Sequence, residues 1–131
     1  MNYYLGKLSK TEYLILKDQN KITFEFNTTC FQGNKTFFNN NYLNVLNPDN
    51  LIYNLETEIE EFVKDKLSGL ELKSNIIFNQ KQFIQFKLDS SVSIEPESKL
   101  KLFIEIDKIK INEKTKSYQI ILKLIKYEKI N

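Results

Sequence analysis

The alternation of apolar and polar residues is clearest in the last third of the chain, from residue 99 to residue 131. Between Leu100 and Ile106 every second residue is leucine or isoleucine, and the residues between them are Lys101, Phe103 and Glu105. This period of two is typical of a strand with one buried face. After a polar stretch the pattern resumes, and one face then carries Tyr118, Ile120, Leu122 and Leu124. The sequence therefore predicts a long two-stranded ribbon joined by a polar turn.

Shorter segments of the same kind predict further strands upstream of the ribbon. Residues 3–16 are strand-like and end in turn-forming residues, and residues 22–27 alternate in the same way. Strand signals return at 75–78 and 83–88, separated by a polar turn. Residues 30–46 are rich in asparagine and aromatic residues, and we interpret them as a long loop with one short strand at 35–38.

One amphipathic helix is predicted at about 48–68. Asn47 is a suitable N-cap, and Pro48 suits the first helical position. An apolar stripe at spacings of three and four is formed by Leu51, Leu55, Ile59, Phe62, Val63 and Leu67. Gly69 is a suitable left-handed terminator.

The order of these elements is strands, one helix, then more strands. This order predicts a single α+β domain over residues 1–131, with a mostly antiparallel β-sheet or small OB-like barrel closed by the helix. A helix packed on an open meander is the alternative.

Composition indicates a folded domain with a biased codon usage. The chain has 131 residues, of which 41% are hydrophobic and 13% aromatic, and it contains no alanine, arginine, histidine or tryptophan. An AT-rich genome explains this bias. The net charge is only +2, but residues 47–65 carry six acidic residues against one lysine, whereas residues 66–131 carry thirteen lysines against eight acidic residues. The positive excess therefore lies in the C-terminal half.

Cysteine usage and hydropathy predict a cytoplasmic protein. Cys30 is the only cysteine, so no internal disulfide can form, and we expect a reducing intracellular compartment. The residues after Met1 lack the apolar run of a signal peptide, and no segment approaches the roughly 18 apolar residues of a membrane span. No membrane association is expected.

Catalysis has little support in the sequence. Histidine, the commonest general base and metal ligand, is absent, and the three glycines are too far apart to form a phosphate-binding loop. We interpret Cys30 as a small buried hydrophobe. The acidic residues of the helix, Glu58, Glu60, Glu61 and Asp65, are typical of a solvated face rather than a metal site. We expect a non-enzymatic protein without a metal or another cofactor.

Binding to single-stranded nucleic acid is the first functional hypothesis. Proteins of this type combine lysines that contact phosphates with aromatic rings on which bases stack. Several aromatic residues fall outside the predicted core positions and have lysines close by in sequence. The residues proposed for this surface are Tyr13, Lys81, Phe83, Lys87, Lys101, Phe103 and Lys110. Alternatively, these rings belong to the core and the lysines only solubilise the sheet. Because arginine is absent, sequence-specific readout of guanine is not expected.

Docking on a larger protein, such as a polymerase or a virion component, is the second hypothesis. Ile121, Ile125 and Tyr127 place apolar side chains on the face opposite Ile120, Leu122 and Leu124. A strand that is apolar on both faces is either central to a two-layer structure or covered by another chain. Assembly with further copies of this chain is left open.

The C-terminal ribbon resembles the closing strands of small single-stranded-DNA-binding OB-fold proteins of large DNA viruses and linear cytoplasmic plasmids. The residues that carry the resemblance are IDKIKI, a short polar turn, and then SYQIILKLIKYE. They cover about a fifth of the chain. The resemblance implies an OB-type fold and sequence-independent binding to single strands.

Overall fold

The computed structural model describes residues 2–37, 40–48, 50–79, 81–88 and 94–130. Within these residues the chain forms nine strands and one helix. The strands are β1 (Tyr3–Lys7), β2 (Glu12–Lys17), β3 (Thr23–Phe37), β4 (Asn40–Leu46), β5 (Glu71–Leu72), β6 (Ile77–Asn79), β7 (Lys81–Leu88), β8 (Lys99–Asn112) and β9 (Ser117–Lys129). The helix, α1, is Leu51–Val63. Within the residues that the structure describes, no helix is long and apolar enough to cross a membrane.

Strand β8 organises the sheet because it has partners along both edges. Strand β9 pairs with one edge, and strands β2 and β3 pair with successive parts of the other. The sheet continues from β3 through β4 and β7 to β6, and from β2 to β1. These pairings are antiparallel, and the short β5 adds a parallel pairing to β9. The predicted α+β class, a mostly antiparallel sheet with one helix, is confirmed, and the described strands do not close into a barrel.

Two β-bulges decide which side chains of the predicted ribbon face the core. The register shifts by one residue at Asp107 of β8 and at Ile125 of β9. An extra residue on one strand reverses the alternation beyond it. Ile109 therefore returns to the core after the first bulge, and Tyr127 turns inward opposite Leu102 after the second. The prediction that Tyr127 lies on the face opposite the buried leucines is wrong for this reason.

The helix is shorter than the predicted 48–68. It begins after Asn50, which takes the N-cap position predicted for Asn47. The Asn47 amide instead donates from Nδ2 to Oε1 of Gln82 at 3.1 Å. Turns carry the chain on from the helix to Gly69, whose φ of 84° lies in the left-handed region as predicted. The helix itself ends at Val63, so Gly69 does not terminate it.

One side of α1 is buried against the inner face of the sheet. Its buried residues are Ile52, Glu56, Ile59 and Val63, whereas Leu51, which was predicted to be part of the buried stripe, is 39% exposed. Ile52 packs into a first core cluster with residues of β3, β4, β7 and β8. Ile59 and Val63 pack into a second cluster with residues of β1, β2, β8 and β9. The helix therefore covers both clusters from the same side.

The region predicted as a loop, residues 30–46, is mostly β-strand. Strand β3 pairs with β8 through its first half and with β4 through its second half, and β4 pairs with β7. These neighbours satisfy the backbone groups of an asparagine-rich sequence, so tertiary context overrides its low strand propensity. Residues 3–16, predicted as one strand, form the two strands β1 and β2 with a turn between them.

Candidate nucleic-acid interface

The face of β8 that points away from the core is shared with its neighbours β3 and β9. Directly opposite residues of antiparallel strands lie on the same face, and Phe103 lies opposite Glu25 on β3 and Lys126 on β9. We call this surface the outer face. It is formed by Glu25, Asn27, Lys101, Phe103, Glu105, Lys123, Lys126 and Glu128 and continues beyond the first bulge with Lys108, Lys110, Gln119 and Ile121. All of these side chains are half-buried or exposed.

The aromatic ring of Phe103 has lysine ammonium groups over it. The Nζ atom of Lys126 lies 4.4 Å from the ring centroid, and that of Lys101 lies 5.4 Å from it. Both distances are within the range of cation–π attraction, which contributes about 0.5–1 kcal/mol at exposed sites. This arrangement combines a ring on which a planar group can stack with two cations that can contact an anion.

Each of these lysines also has an acidic neighbour on the outer face. Lys101 Nζ lies 3.6 Å from Oε1 of Glu25, and Lys126 Nζ lies 3.8 Å from Oε1 of Glu128. Ion pairs between exposed side chains contribute only about 0–1 kcal/mol, because water screens them and the long side chains lose rotamer freedom. A phosphate can therefore replace either carboxylate with little loss of stability.

Two lysines next to the first bulge, Lys108 on the outer face and Lys21 just before β3, are held more firmly. Lys108 Nζ lies 2.7 Å from Oε2 of Glu12, and this hydrogen bond lowers the pKa of Glu12 and raises the pKa of Lys108. Lys21 donates to the backbone oxygen of Asp107 at 2.5 Å and lies 3.7 Å from its carboxylate. Because these lysines are already paired with acidic residues, this middle part of the surface is less suited to binding a polyanion than the part around Phe103.

An open depression lies beside Phe103, next to the bulge in β9. The extra residue, Ile125, is 51% exposed and does not pack inward with the rest of its strand. Its side chain and the Phe103 ring give the depression apolar walls, and Glu25 and Lys126 give it one acidic and one basic rim. The complete lining is Thr23, Phe24, Glu25, Phe103, Ile104, Ile125 and Lys126.

Three of the residues proposed for nucleic-acid binding lie together on the outer face. They are Lys101, Phe103 and Lys110, all on β8. At about 3.3 Å per residue, Phe103 and Lys110 are about 20 Å apart along the strand. The surface is therefore long enough for more than one nucleotide.

The other four residues lie elsewhere. Tyr13 pairs with the buried Ile109 and packs half-buried against the second core cluster, so it is on the opposite face of the sheet from Phe103. Phe83 is only 9% exposed, and its ring is not presented to a ligand in this structure. Lys81 and Lys87 are exposed on β7, which is separated from β8 by β3 and β4.

The residues proposed for a protein interface are also divided. Ile121 is half-buried on the outer face, Ile125 is exposed at the depression, and Tyr127 contributes to the first core cluster. A more exposed apolar pair lies on β6, where Ile77 is 40% and Phe78 is 75% exposed. Sequence reasoning placed this pair in a strand but did not single it out.

Sequence reasoning also missed Glu25 and Lys126 as neighbours of Phe103. Both positions follow from the pairing of β3 and β9 with β8, which sequence spacing does not reveal. The adjacent apolar residues Leu124 and Ile125 interrupt the alternation of β9 at the bulge that shifts Lys126 into place, but residues 120–122 interrupt it in the same way without an extra residue on β9.

Among the described residues, no cluster of three or more cysteine, aspartate and glutamate side chains could hold a metal ion. Cys30 is 1% exposed within the first core cluster, in agreement with its interpretation as a buried hydrophobe. Comparisons of the chain with protein-family models, with curated proteins and with solved structures find no match.

Proposed function

We propose that the outer face binds single-stranded nucleic acid with little dependence on sequence, and that the protein acts in the cytoplasm without catalysing a reaction. The observation that carries this proposal is the Phe103 ring, in an exposed antiparallel sheet, with Lys101 and Lys126 at 5.4 and 4.4 Å from its centroid. Aromatic stacking of bases together with lysine contacts to phosphates is the usual chemistry of non-specific single-strand binding.

The resemblance of the C-terminal ribbon to small single-stranded-DNA-binding proteins of viruses and linear plasmids supports the same function. An OB-type fold, in which a curved sheet presents such a face to single strands, is part of the proposal. The ribbon that carries the resemblance also carries the outer face, because Phe103 and its two lysines belong to β8 and β9.

Binding requires the ligand to replace existing contacts of the lysines. The base would take the place of an ammonium group on the Phe103 ring, and the ammonium group would move to a phosphate. Because the contacts that are lost are exposed ion pairs and cation–π contacts, each contributes about 1 kcal/mol or less. We expect moderate affinity that decreases strongly with salt, with a slope of log K against log salt of about −0.7 for each phosphate contacted.

A fluorescence anisotropy titration with a labelled single-stranded DNA oligonucleotide at low salt tests the proposal. Replacing Phe103 with alanine should weaken binding by about 1–3 kcal/mol if the ring stacks a base. Phe78→Ala is the matched control, because Phe78 is an exposed aromatic residue on β6 and not on the outer face. The double variant Lys101→Ala and Lys126→Ala should reduce the salt slope by about 1.4.

Absence of binding at micromolar protein would refute the proposal, as would equal losses for the Phe103 and Phe78 variants. A thermal unfolding curve of Phe103→Ala separates the two roles of the ring. A residue that stacks a base changes affinity with little effect on the melting temperature, whereas a residue that only packs against the sheet changes the melting temperature.

Docking on a larger protein is the second candidate, and the exposed edge strand β6 favours it. Among the described strands β6 pairs with β7 alone, so within the described residues its other edge has no strand partner, and Ile77 and Phe78 lie on this strand. Purification under native conditions followed by nuclease treatment distinguishes the two candidates. A stoichiometric protein complex that survives nuclease and is lost with Phe78→Ala would favour docking.

A further inference from the structure

The depression beside Phe103 contains a carboxylate where a surface for a polyanion would be expected to have none. Glu25 lies directly opposite Phe103 in the register of β3 and β8, and its side chain is 55% exposed. Its Oε1 atom lies 3.6 Å from Lys101, a lysine that the proposed function assigns to a phosphate. Once Lys101 turns to a phosphate, the carboxylate loses its partner and faces the bound strand.

A carboxylate in that position repels phosphates but accepts hydrogen bonds from amino groups. Nucleobases differ in this respect at their exposed edges: cytosine, adenine and guanine carry an exocyclic amino group, whereas thymine and uracil present carbonyl oxygens at the corresponding positions. The depression is lined by Phe103, Ile125 and Glu25, and Glu25 lies directly opposite Phe103 in the sheet. A base stacked on Phe103 would therefore lie beside the carboxylate.

We infer that this depression selects for bases with an exocyclic amino group, with Glu25 accepting the hydrogen bond while the base stacks on Phe103. The inference rests on the proposed function and adds a preference to it. Cytosine and thymine give the sharpest comparison, because they are pyrimidines of similar size with opposite hydrogen-bonding character at position 4. The amino group of cytosine donates to Glu25, whereas thymine has a carbonyl oxygen at position 4, and its one donor on this edge, the N3–H, lies between two carbonyl oxygens that repel the carboxylate.

The test measures the affinity of labelled oligo-dC and oligo-dT of equal length for the full chain, at low salt and a pH of about 7.5–8. At this pH the ring nitrogen of cytosine is unprotonated and the oligonucleotide stays single-stranded. We expect oligo-dC to bind about fivefold more tightly, the effect of one good polar contact to a base edge. Glu25→Gln should remove most of this preference, mainly by strengthening the binding of oligo-dT.

The matched control is Glu128→Gln. Glu128 lies opposite Lys101 on β9, is 57% exposed and forms the equivalent ion pair with Lys126, but it does not line the depression. Removing its charge should strengthen the binding of both oligonucleotides by the same factor and leave their ratio unchanged. Melting curves of both variants confirm that the fold is intact.

Three results overturn the inference. Equal affinity of the unmodified chain for the two oligonucleotides refutes the preference while leaving the proposed function intact. If Glu25→Gln and Glu128→Gln change the ratio of oligo-dC to oligo-dT affinity equally, the preference is an effect of overall charge, and the inference is refuted while the proposed function stands. If neither oligonucleotide binds, the proposed function itself fails, and the inference fails with it.

Discussion

Replacing Glu56 with alanine should destabilise the protein more than any other substitution of an acidic side chain on the helix. Glu56 is 5% exposed on the buried side of α1. Its Oε1 accepts a hydrogen bond from Ser74 Oγ at 2.6 Å, and its Oε2 accepts from the backbone N–H and the side-chain Nδ2 of Asn75 at 2.8 and 3.1 Å. The Asn75 side chain also donates to the backbone oxygen of Ile120 at 2.7 Å, so the carboxylate links the helix to β9 through the segment between β5 and β6.

The expected magnitude follows from the groups that lose their partner. Glu56→Ala leaves three donors without this acceptor, one on the exposed Ser74 and two on the half-buried Asn75. A fully buried unsatisfied donor costs about 1–3 kcal/mol, and water reaches these partly exposed groups, so we expect a decrease of about 2–3 kcal/mol in the free energy of unfolding. Glu56→Gln keeps the shape but replaces one acceptor by a donor, and we expect it to cost about half as much.

Urea denaturation of the three proteins measures these differences, with Glu60→Ala as the control. Glu60 lies one turn further along α1 and is exposed, so its removal should change the stability by less than about 0.5 kcal/mol. The reasoning is refuted if Glu56→Ala and Glu60→Ala are equally stable, or if Glu56→Gln is less stable than Glu56→Ala.

Three further predictions concern the turn after β2, the second core cluster and the bulge in β9. Gln19 has a φ of 70°, so Gln19→Gly should raise the free energy of unfolding by about 0.5–1 kcal/mol in urea denaturation, and a loss of stability would contradict it. Burial, together with the nearby carboxylates of α1, raises the pKa of Tyr118 to about 12, above its value of about 10 in the unfolded chain. Protonated Tyr118 therefore contributes to the free energy of unfolding, fully below pH 10, and this contribution is lost as the pH rises through 12. Between these pH values the free energy of unfolding of Tyr118→Phe should decrease less than that of the unmodified chain. Tyr127→Ala should cost about 2–4 kcal/mol and Ile125→Ala less than about 1 kcal/mol, and equal costs would show that the bulge does not place Tyr127 in the core.

The sequence predicts the elements whose pattern is local. The alternation from Leu100 to Ile106 predicts the buried face of β8, and the apolar spacing from Ile59 to Leu67 predicts that α1 packs on a core. Glu56 shows the limit of this reasoning. By pattern a glutamate belongs to the solvated side of a helix, and it is buried here because a segment almost twenty residues further along supplies its hydrogen-bond donors.

The same limit applies to the strands. Asparagine-rich residues 30–46 have little strand propensity of their own, but the strand segments they form pair with each other, and β4 also pairs with β7. Asn44, for example, is 1% exposed and accepts a hydrogen bond from Gln85 Nε2 on β7 at 3.0 Å. A partner of this kind is decided by the topology of the sheet, which single-sequence patterns do not determine.

The bulge at Ile125 connects this limit to the proposed site. Without the extra residue, strict alternation along β9 would place Lys126 on the inner face and Tyr127 on the outer face, as the sequence pattern predicts. The bulge exchanges the two: Tyr127 packs opposite Leu102, and Lys126 lies over the Phe103 ring. Packing of the half-buried Tyr127 against the first core cluster and exclusion of a lysine from the core both stabilise the bulged register. The position of Lys126 on the outer face beside Phe103 is therefore a consequence of core packing.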